Sequence, residues 1–273
     1  MANTPTHLRV SHTDSGVAIL TLDYPERRNA MSASMTQAWV AAVAELAGDP
    51  NVRAVMVTGA AGAFCSGGDT GWIGGDPDAS VSELRAKMLP FYRSWLSIRD
   101  LEVPTLAAID GPAVGAGAAL ALACDVRVVS RRASFSVPFT RLGIHPGMGT
   151  TYLLREVAGV AVARDLLLTG RRIRSEEMLR LGIATEMLPA EENDAAPADA
   201  FHSAAVARAE SMAAGAPVAT RLTKIALQSG GSRTLAEAID WEAVAQPVTM
   251  ATEDLHEGLA AQRERRAPRF TGR

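Results

Sequence analysis

Short apolar runs alternate with stretches of helical spacing along the first two thirds of the chain. The runs are typical of β-strands and lie at 7–12, 16–23, 53–59, 104–110 and 125–130. Elsewhere apolar residues recur every three or four positions, which is the spacing of a helix with one buried face. This spacing predicts helices at about 34–48, 80–99, 118–124, 152–157, 161–168 and 175–181. Together these elements predict a mixed α/β core.

Two of the predicted helices carry a clear apolar stripe. Ser32 or Ser34 is the candidate N-cap of the first helix, because a serine hydroxyl accepts a hydrogen bond from a free amide of the first turn. The inward positions of this helix are Met35, Trp39, Val43 and Leu46. Those of the helix at 80–99 are Leu84, Met88 and Leu96.

A change of composition near residue 190 predicts the domain organisation. The stretch PAEENDAAPADA at 189–200 is acidic and rich in proline and alanine, as linkers often are. Beyond it the spacing is helical almost to the last residue. We therefore predict a β/α core over 1–190, a linker over 191–200 and a helical C-terminal region over 201–273.

Composition and charge exclude several classes of function. Of the 273 residues, 48% are hydrophobic and 21% charged, and the formal net charge is −3. Such a chain has no general basic surface for nucleic acid. The longest apolar run, Ala113 to Cys124, is shorter than the ~20 residues that span a bilayer, and the first residues lack the layout of a signal peptide. We expect a cytoplasmic protein with neither nucleic-acid nor membrane partners.

The cysteines and histidines do not predict a metal or disulfide framework. Cys65 and Cys124 are the only two cysteines and are far apart in the sequence. None of the five histidines has the spacing of a metal-ligand motif. We expect no metal ion and no disulfide.

A glycine-rich turn without charged side chains follows the strand at 104–110. It reads GPAVGAGAALALACD over 111–125. Its partial match to the GxGxxG pattern makes a nicotinamide-dependent oxidoreductase a weak alternative, since Leu120 replaces the third glycine. A second reading is a turn that only lets helix and sheet pack closely. The third is an oxyanion hole, because the start of a helix offers unpaired backbone N–H groups. The loop AFCSGGDT at 63–70 is then the candidate for the second donor, through the amide of Ser66 or Gly67.

Several segments together resemble the enoyl-CoA hydratase/isomerase family, the crotonases. They are PERRNAM (25–31), AFCSGGD (63–69), GPAVGAGAALALACD (111–125), FSVPFTRLGIHPGMGTTYLL (135–154), LTGRRIRSEEMLRLGIATEML (168–188) and HEGLAAQRERRAPRF (256–270). The resemblance implies a spiral of ββα turns followed by a C-terminal helical region used for trimerisation. It implies a homotrimer or a dimer of trimers that binds an acyl-CoA or enoyl-CoA thioester. No cofactor is implied, because coenzyme A is part of the substrate.

The resemblance also assigns roles to individual residues. It implies that the thioester oxygen accepts hydrogen bonds from the amides of Ser66 and Ala116. It places the substrate beside Gly67, Gly68, Asp69 and Gly147. Arg28 and Ala30 are the expected contacts with coenzyme A. Arg265 is expected to reach the CoA phosphates, either within its own chain or from a neighbouring subunit. The alternative for RERRAPR is a solvated basic tail, which explains it equally well.

The sequence departs from the family at the two catalytic glutamates. The resemblance aligns these positions with Ala119 and Phe139, neither of which can activate water or move a proton. His145, in GIHPGMG, is the candidate acid or base in their place, since histidine titrates near neutral pH. The alternative for His145 is a loop histidine that binds a carbonyl or water. For Asp69 and Cys65 we expect structural roles, in loop hydrogen bonding and packing respectively.

We therefore expect an acyl-CoA enzyme of fatty-acid or related metabolism, a nominal enoyl-CoA hydratase/isomerase that hydrates enoyl-CoA poorly. One alternative is a different reaction of a CoA thioester, namely hydrolysis, decarboxylation or retro-aldol cleavage, all of which form an oxyanion. Another is a protein that binds acyl-CoA without converting it.

Overall fold

The computed structural model describes residues 6–69, 71, 74, 77–189, 197–230 and 233–273. Within them the strands are β1 (Leu8–His12), β2 (Val17–Leu22), β3 (Ala54–Gly59), β4 (Thr105–Ile109), β5 (Pro112–Val114), β6 (Val126–Val129), β7 (Ser134–Ser136), β8 (Arg172–Arg174) and β9 (Glu186–Met187). The helices are α1 (Ala33–Gly48), α2 (Val81–Leu96), α3 (Ala116–Ala123), α4 (Thr150–Thr169), α5 (Ser175–Arg180), α6 (Pro197–Ala213), α7 (Pro217–Gly230), α8 (Leu235–Met250) and α9 (Glu253–Glu264). These elements confirm the predicted mixed α/β core.

The main sheet has six strands in the order β1-β2-β3-β4-β6-β9. Only the pair β1 and β2 is antiparallel, and the other pairs are parallel. Alternate residues of β2 enter two different apolar cores: Leu20 faces one and Ile19 the other. Both faces of the sheet are therefore covered, as expected where parallel strands read as continuous apolar runs.

A second, smaller sheet carries the glycine-rich turn. Its strands β5, β7 and β8 have three residues each, and β5 pairs in parallel with β7 from Pro112↔Ser134 onward. An isolated bridge between Cys65 and Ala113 joins the loop after β3 to this sheet. These strands were not predicted, because three residues are too few to establish an alternation.

Helices α1 to α4 cover one face of the main sheet and enclose the larger apolar core. The Ser32 hydroxyl caps α1 by accepting the Met35 amide at 3.2 Å, which confirms one of the two predicted caps. On α2 the most buried side chains are Phe91 and Trp95, whereas the predicted inward residue Met88 is only partly buried. Gly159 has a non-helical backbone inside α4, which divides the helix close to the predicted break.

Helix α6 corrects the predicted domain boundary. Residues 197–200, assigned to the linker, form its first turn, and a proline is favourable at such a position because it has no N–H to pair. Phe201, Ala205 and Ala209 are buried against the second face of the main sheet. The small alanines let the helix approach closely, so α6 is part of the core. Residues 190–196, the rest of the predicted linker, lie outside the described residues.

An ion pair between a buried lysine and a more exposed aspartate joins α7 to the core. Lys224 on α7 is 6% exposed, and its Nζ lies 2.8 Å from Asp125 Oδ2 and donates to the Val103 carbonyl at 2.8 Å. Asp125 also accepts hydrogen bonds from Thr105, at its amide (2.7 Å) and its hydroxyl (2.8 Å). No helix among the described residues is long and apolar enough to cross a membrane.

Candidate active site

A largely apolar cavity of about 110 Å³ lies where the two glycine-rich loops meet helix α2. The loop after β3, the turn between β5 and α3, and residues 138–148 form most of its wall. Seven of the predicted site positions line it: Ser66, Gly67, Gly68, Ala116, Phe139, His145 and Gly147. The structure thus brings together residues that lie up to about 80 positions apart in the sequence.

Close backbone contact explains the glycines of this cavity. Gly67 has a left-handed backbone with φ of 101°, and a Cβ there would lie 2.9 Å from the Val114 carbonyl oxygen and 3.3 Å from the Ala116 nitrogen. A Cβ on Gly117 would collide with the carbonyl of Cys65. Larger residues would separate the loop from the turn. Glycine tolerates both the left-handed backbone and the close approach of another chain segment, because it has no Cβ.

The amide of Ala116 is available to a ligand. Ala116 is the first residue of α3, where an amide has no partner within the helix, and no side chain caps this end. It makes no hydrogen bond to any described residue. Its position on the cavity wall agrees with the predicted role as a donor.

The predicted role of Ser66 as the second donor needs correction. The Ser66 amide donates to the carbonyl oxygen of Arg28 at 3.0 Å, and its hydroxyl donates to that of Arg27 at 2.9 Å. Both donors are consequently used within the fold. The amide of Gly68, two residues further on, has no hydrogen-bond partner among the described residues and lies on the same cavity wall. Gly68 is therefore the better candidate to pair with Ala116.

The loop at 25–31 lies directly against the glycine-rich loop. The Met31 amide donates to the Gly67 carbonyl at 2.8 Å. Asn29 is fully buried, and its side chain accepts from the Tyr24 amide and donates to the carbonyls of Ala60 and Ala63 at 2.8–2.9 Å. Asn29 thus fixes one loop to the other, a role that the sequence analysis missed.

Two predicted contacts on this loop do not reach the cavity. Arg28 is exposed and has a left-handed backbone with φ of 49°. Ala30 is buried, and its amide donates to the Arg27 carbonyl at 3.1 Å. Neither residue lines the cavity, so their predicted contacts with coenzyme A remain predictions.

The two positions aligned with catalytic glutamates are both apolar and buried. Phe139 is 8% exposed and lies on the cavity wall, with its ring close to Gly115 at the start of α3. Ala119 is fully buried in α3, one turn after Ala116, and does not line the cavity. Neither position offers a group that transfers protons.

His145 lies on the cavity wall and is exposed to solvent. Its Nδ1 lies 2.8 Å from the carbonyl oxygen of Pro146. Because a carbonyl only accepts, a hydrogen bond at this contact requires the proton on Nδ1, and Nε2 is then the acceptor of the neutral ring. Nε2 has no hydrogen-bond partner among the described residues. The hydrogen bond to the Pro146 carbonyl agrees with the alternative of a structural loop histidine. The Nε2 atom without a partner agrees with the role of an acid or base.

Helix α2 contributes a part of the cavity that the sequence analysis did not assign. Met88, Phe91 and Tyr92 line it, and Tyr92 adds a hydroxyl to a largely apolar wall. Burial raises the pKa of Tyr92, so this hydroxyl stays protonated at neutral pH. Positions 88, 91, 92 and 95 have the spacing of one helix face. This spacing is the sequence feature from which the contribution of α2 could have been predicted.

The remaining candidate residues have structural surroundings. Asp69 accepts the Gly71 amide at 2.8 Å and does not line the cavity. Burial raises the pKa of Cys65 to about 12, which leaves it without a reactive thiolate at neutral pH. Arg265 follows the last residue of helix α9, is exposed and does not line the cavity of its own chain. The described residues contain no cluster of three or more histidine, cysteine, aspartate or glutamate side chains suited to a metal ion.

Comparison with known proteins decides the family. The model of the enoyl-CoA hydratase/isomerase family matches residues 12–273. This chain belongs to the enoyl-CoA hydratase/isomerase family. A relative named probable enoyl-CoA hydratase echA8 from Mycobacterium bovis is 34% identical over 260 residues, which cover 95% of this chain and 96% of the relative.

Solved structures of the family share the fold. An enoyl-CoA hydratase from Bacillus anthracis superposes with a TM-score of 0.88 at 29% identity, covering 98% of this chain and all of that one. An enoyl-CoA hydratase from Polaromonas gives a TM-score of 0.86 at 29% identity, covering 97% and 99%. The predicted crotonase-like fold is confirmed, as is membership of a family of hydratases and isomerases that act on acyl-CoA and enoyl-CoA thioesters.

Proposed function

We propose that this protein binds an acyl-CoA thioester with its carbonyl oxygen between the amides of Gly68 and Ala116. The observation that carries the proposal is that Gly68 and Ala116 line one cavity and that their amides have no acceptor among the described residues. Two fixed donors that converge on one oxygen stabilise the negative charge of an enolate or a tetrahedral intermediate. Backbone amides do this without a cofactor.

The acyl group of the thioester would lie in the apolar cavity. Phe91, Phe139 and Met148 are buried around it. The coenzyme A portion would leave past the loop at 25–31, which is held against the oxyanion loop by Asn29. Arg28 and Ala30 stay candidates for contact with it, as does Arg265 of a neighbouring copy in a trimer or hexamer.

Hydration of enoyl-CoA is not the reaction that these residues favour. Adding water requires groups that deprotonate the water and protonate the α-carbon, and Ala119 and Phe139 provide neither. We infer that the protein carries out another reaction of a CoA thioester through the same oxyanion, with His145 Nε2 as the acid or base. Hydrolysis, decarboxylation and retro-aldol cleavage all fit this arrangement.

The variant Ala116→Pro tests the oxyanion assignment. Proline removes the amide donor, and the first position of a helix is where proline is tolerated. We expect the Kd for butyryl-CoA, measured by titration calorimetry, to rise about tenfold, which is the effect of one hydrogen bond to a charged or strongly polarised acceptor. Free coenzyme A lacks the carbonyl and should bind as before.

Circular dichroism and the unfolding temperature report whether the variant keeps its fold. An equal loss of affinity for butyryl-CoA and free coenzyme A in a folded variant contradicts the oxyanion assignment. If neither ligand binds the wild-type protein, the proposed function itself is wrong.

A further inference from the structure

Tyr92 places an unused hydroxyl inside the cavity. Its oxygen lies against Gly147, where even a Cβ would collide with it. Gly147 belongs to the same loop as His145, and both line the cavity with Tyr92. Tyr92, His145 and Ser66 are therefore the residues with polar side chains that line the cavity.

The surroundings of this hydroxyl are apolar. Met88, Phe91, Phe139 and Met148 are its neighbours on the cavity wall, and Tyr92 itself is partly buried. No described residue forms a hydrogen bond with the hydroxyl. An acyl group that fills the cavity would displace water from this hydroxyl, and a polar group that loses water without gaining a partner is unfavourable. A ligand that supplies the partner therefore gains affinity over one that does not.

The other two tyrosines of the chain have ordinary surroundings. Tyr24 stacks on His7 with ring centroids 3.8 Å apart. Tyr152 is 54% exposed on α4. Neither lines the cavity, so Tyr152 offers a matched control for a substitution at Tyr92.

We propose that Tyr92 determines substrate specificity by forming a hydrogen bond with an oxygen on the acyl chain. The preferred ligands are then CoA thioesters of hydroxyacyl or oxoacyl groups, and those of plain alkyl groups bind less well. The protonated hydroxyl donates to either kind of oxygen and accepts only from a hydroxyl. This inference rests on the proposed binding of the thioester and adds the chemical class of its acyl group.

Titration calorimetry with three probes tests the proposal. The probes are butyryl-CoA, 3-hydroxybutyryl-CoA and 4-hydroxybutyryl-CoA, each titrated into wild-type protein, Tyr92→Phe and Tyr152→Phe. We expect the wild-type protein to bind at least one hydroxyacyl thioester three- to tenfold more tightly than butyryl-CoA, the usual effect of one hydrogen bond. Tyr92→Phe should remove this preference and bind butyryl-CoA at least as well, while Tyr152→Phe should behave as wild type.

The outcomes separate this inference from the proposed function. If butyryl-CoA binds but no hydroxyacyl thioester is preferred, or if the preference survives in Tyr92→Phe, Tyr92 has no such role. If no acyl-CoA binds the wild-type protein, both proposals are wrong. Phenylalanine retains the ring and removes only the hydroxyl, so the unfolding temperatures of both variants should stay close to that of wild type.

Discussion

At the scale of single residues, the candidate site depends more on which backbone atoms are free than on which side chains are present. Ser66 and Gly68 lie in the same loop, yet the amide of Ser66 is used by Arg28 and that of Gly68 is not. The glycine pattern predicted the right loops because glycine is required where two backbones approach closely. It did not distinguish the two amides, since the sequence does not reveal which N–H points into the cavity.

His145 supplies a prediction at this scale. His145→Ala should lower the kcat of the thioester that the enzyme converts by roughly 10²–10⁴-fold, the usual contribution of a general acid or base. The Kd of that thioester should change little, because the amides of Gly68 and Ala116 remain. His12 is exposed on β1, and His12→Ala is the control. An unchanged kcat in His145→Ala would leave this histidine with only its hydrogen bond to Pro146.

The missing carboxylates give a second prediction. Wild type should hydrate crotonyl-CoA far below the ordinary enzymatic rate of about 10 s⁻¹, as followed by the absorbance of the conjugated enone. The double variant Ala119→Glu/Phe139→Glu should gain measurable activity, and each single variant should gain little. A long side chain at Ala119 points back along α3 toward Ala116, since helical side chains lean toward the N-terminus, and the positive end of the helix dipole favours its charge.

The double variant should also be less stable than wild type. Both positions are buried, and loss of a large aromatic side chain from a packed site costs about 3–5 kcal/mol when it is cut to alanine. Its unfolding temperature is therefore measured beside its activity. A wild-type rate near 10 s⁻¹ would show that Ala119 and Phe139 are not lost catalytic positions.

At the scale of elements, periodicity predicted the helices and strands that are long enough to repeat. Helix α1 shows its apolar stripe over four turns and was predicted close to its observed bounds, with Ser32 as one of two candidate caps. Strands β5, β7 and β8 have three residues each, and their pairing depends on distant chain segments. The sequence predicted that the region of α6 is helical, but it did not predict that this helix packs against the sheet. Its buried positions are mostly alanines, and alanine is common on both buried and exposed helix faces.

The ion pair between Lys224 on α7 and Asp125 provides a prediction at this scale. Lys224→Met should lower the free energy of unfolding by about 1.5–3 kcal/mol, the range for hydrogen bonds that involve a charged group. It leaves the Asp125 carboxylate with only its Thr105 partners. Thermal unfolding of Lys224→Met, Asp125→Asn and the double variant forms a cycle that isolates the interaction. Additive losses would show that the two side chains do not stabilise each other.

At the scale of the whole molecule, the C-terminal helices expose several large apolar side chains to solvent. At least half of the surface of Leu227 on α7 and of Val244 and Val248 on α8 is exposed. Val244 and Val248 are four residues apart and lie on one face of their helix. Exposed apolar surface of this kind is typical of a contact with another chain. We propose that this face meets other copies in a trimer or a dimer of trimers.

Sedimentation equilibrium at micromolar concentration tests this assembly. We expect a mass of three or six chains of 28.7 kDa, and a stable monomer would contradict the proposal. Val244→Glu/Val248→Glu should dissociate the assembly, because it places two carboxylates in an apolar contact, whereas Val81→Glu on the exposed start of α2 should not. If Arg265 reaches the coenzyme A phosphates from a neighbouring copy, the dissociated variant should also bind free coenzyme A less tightly. Intact affinity in a dissociated variant would instead leave Arg265 as part of a solvated basic tail.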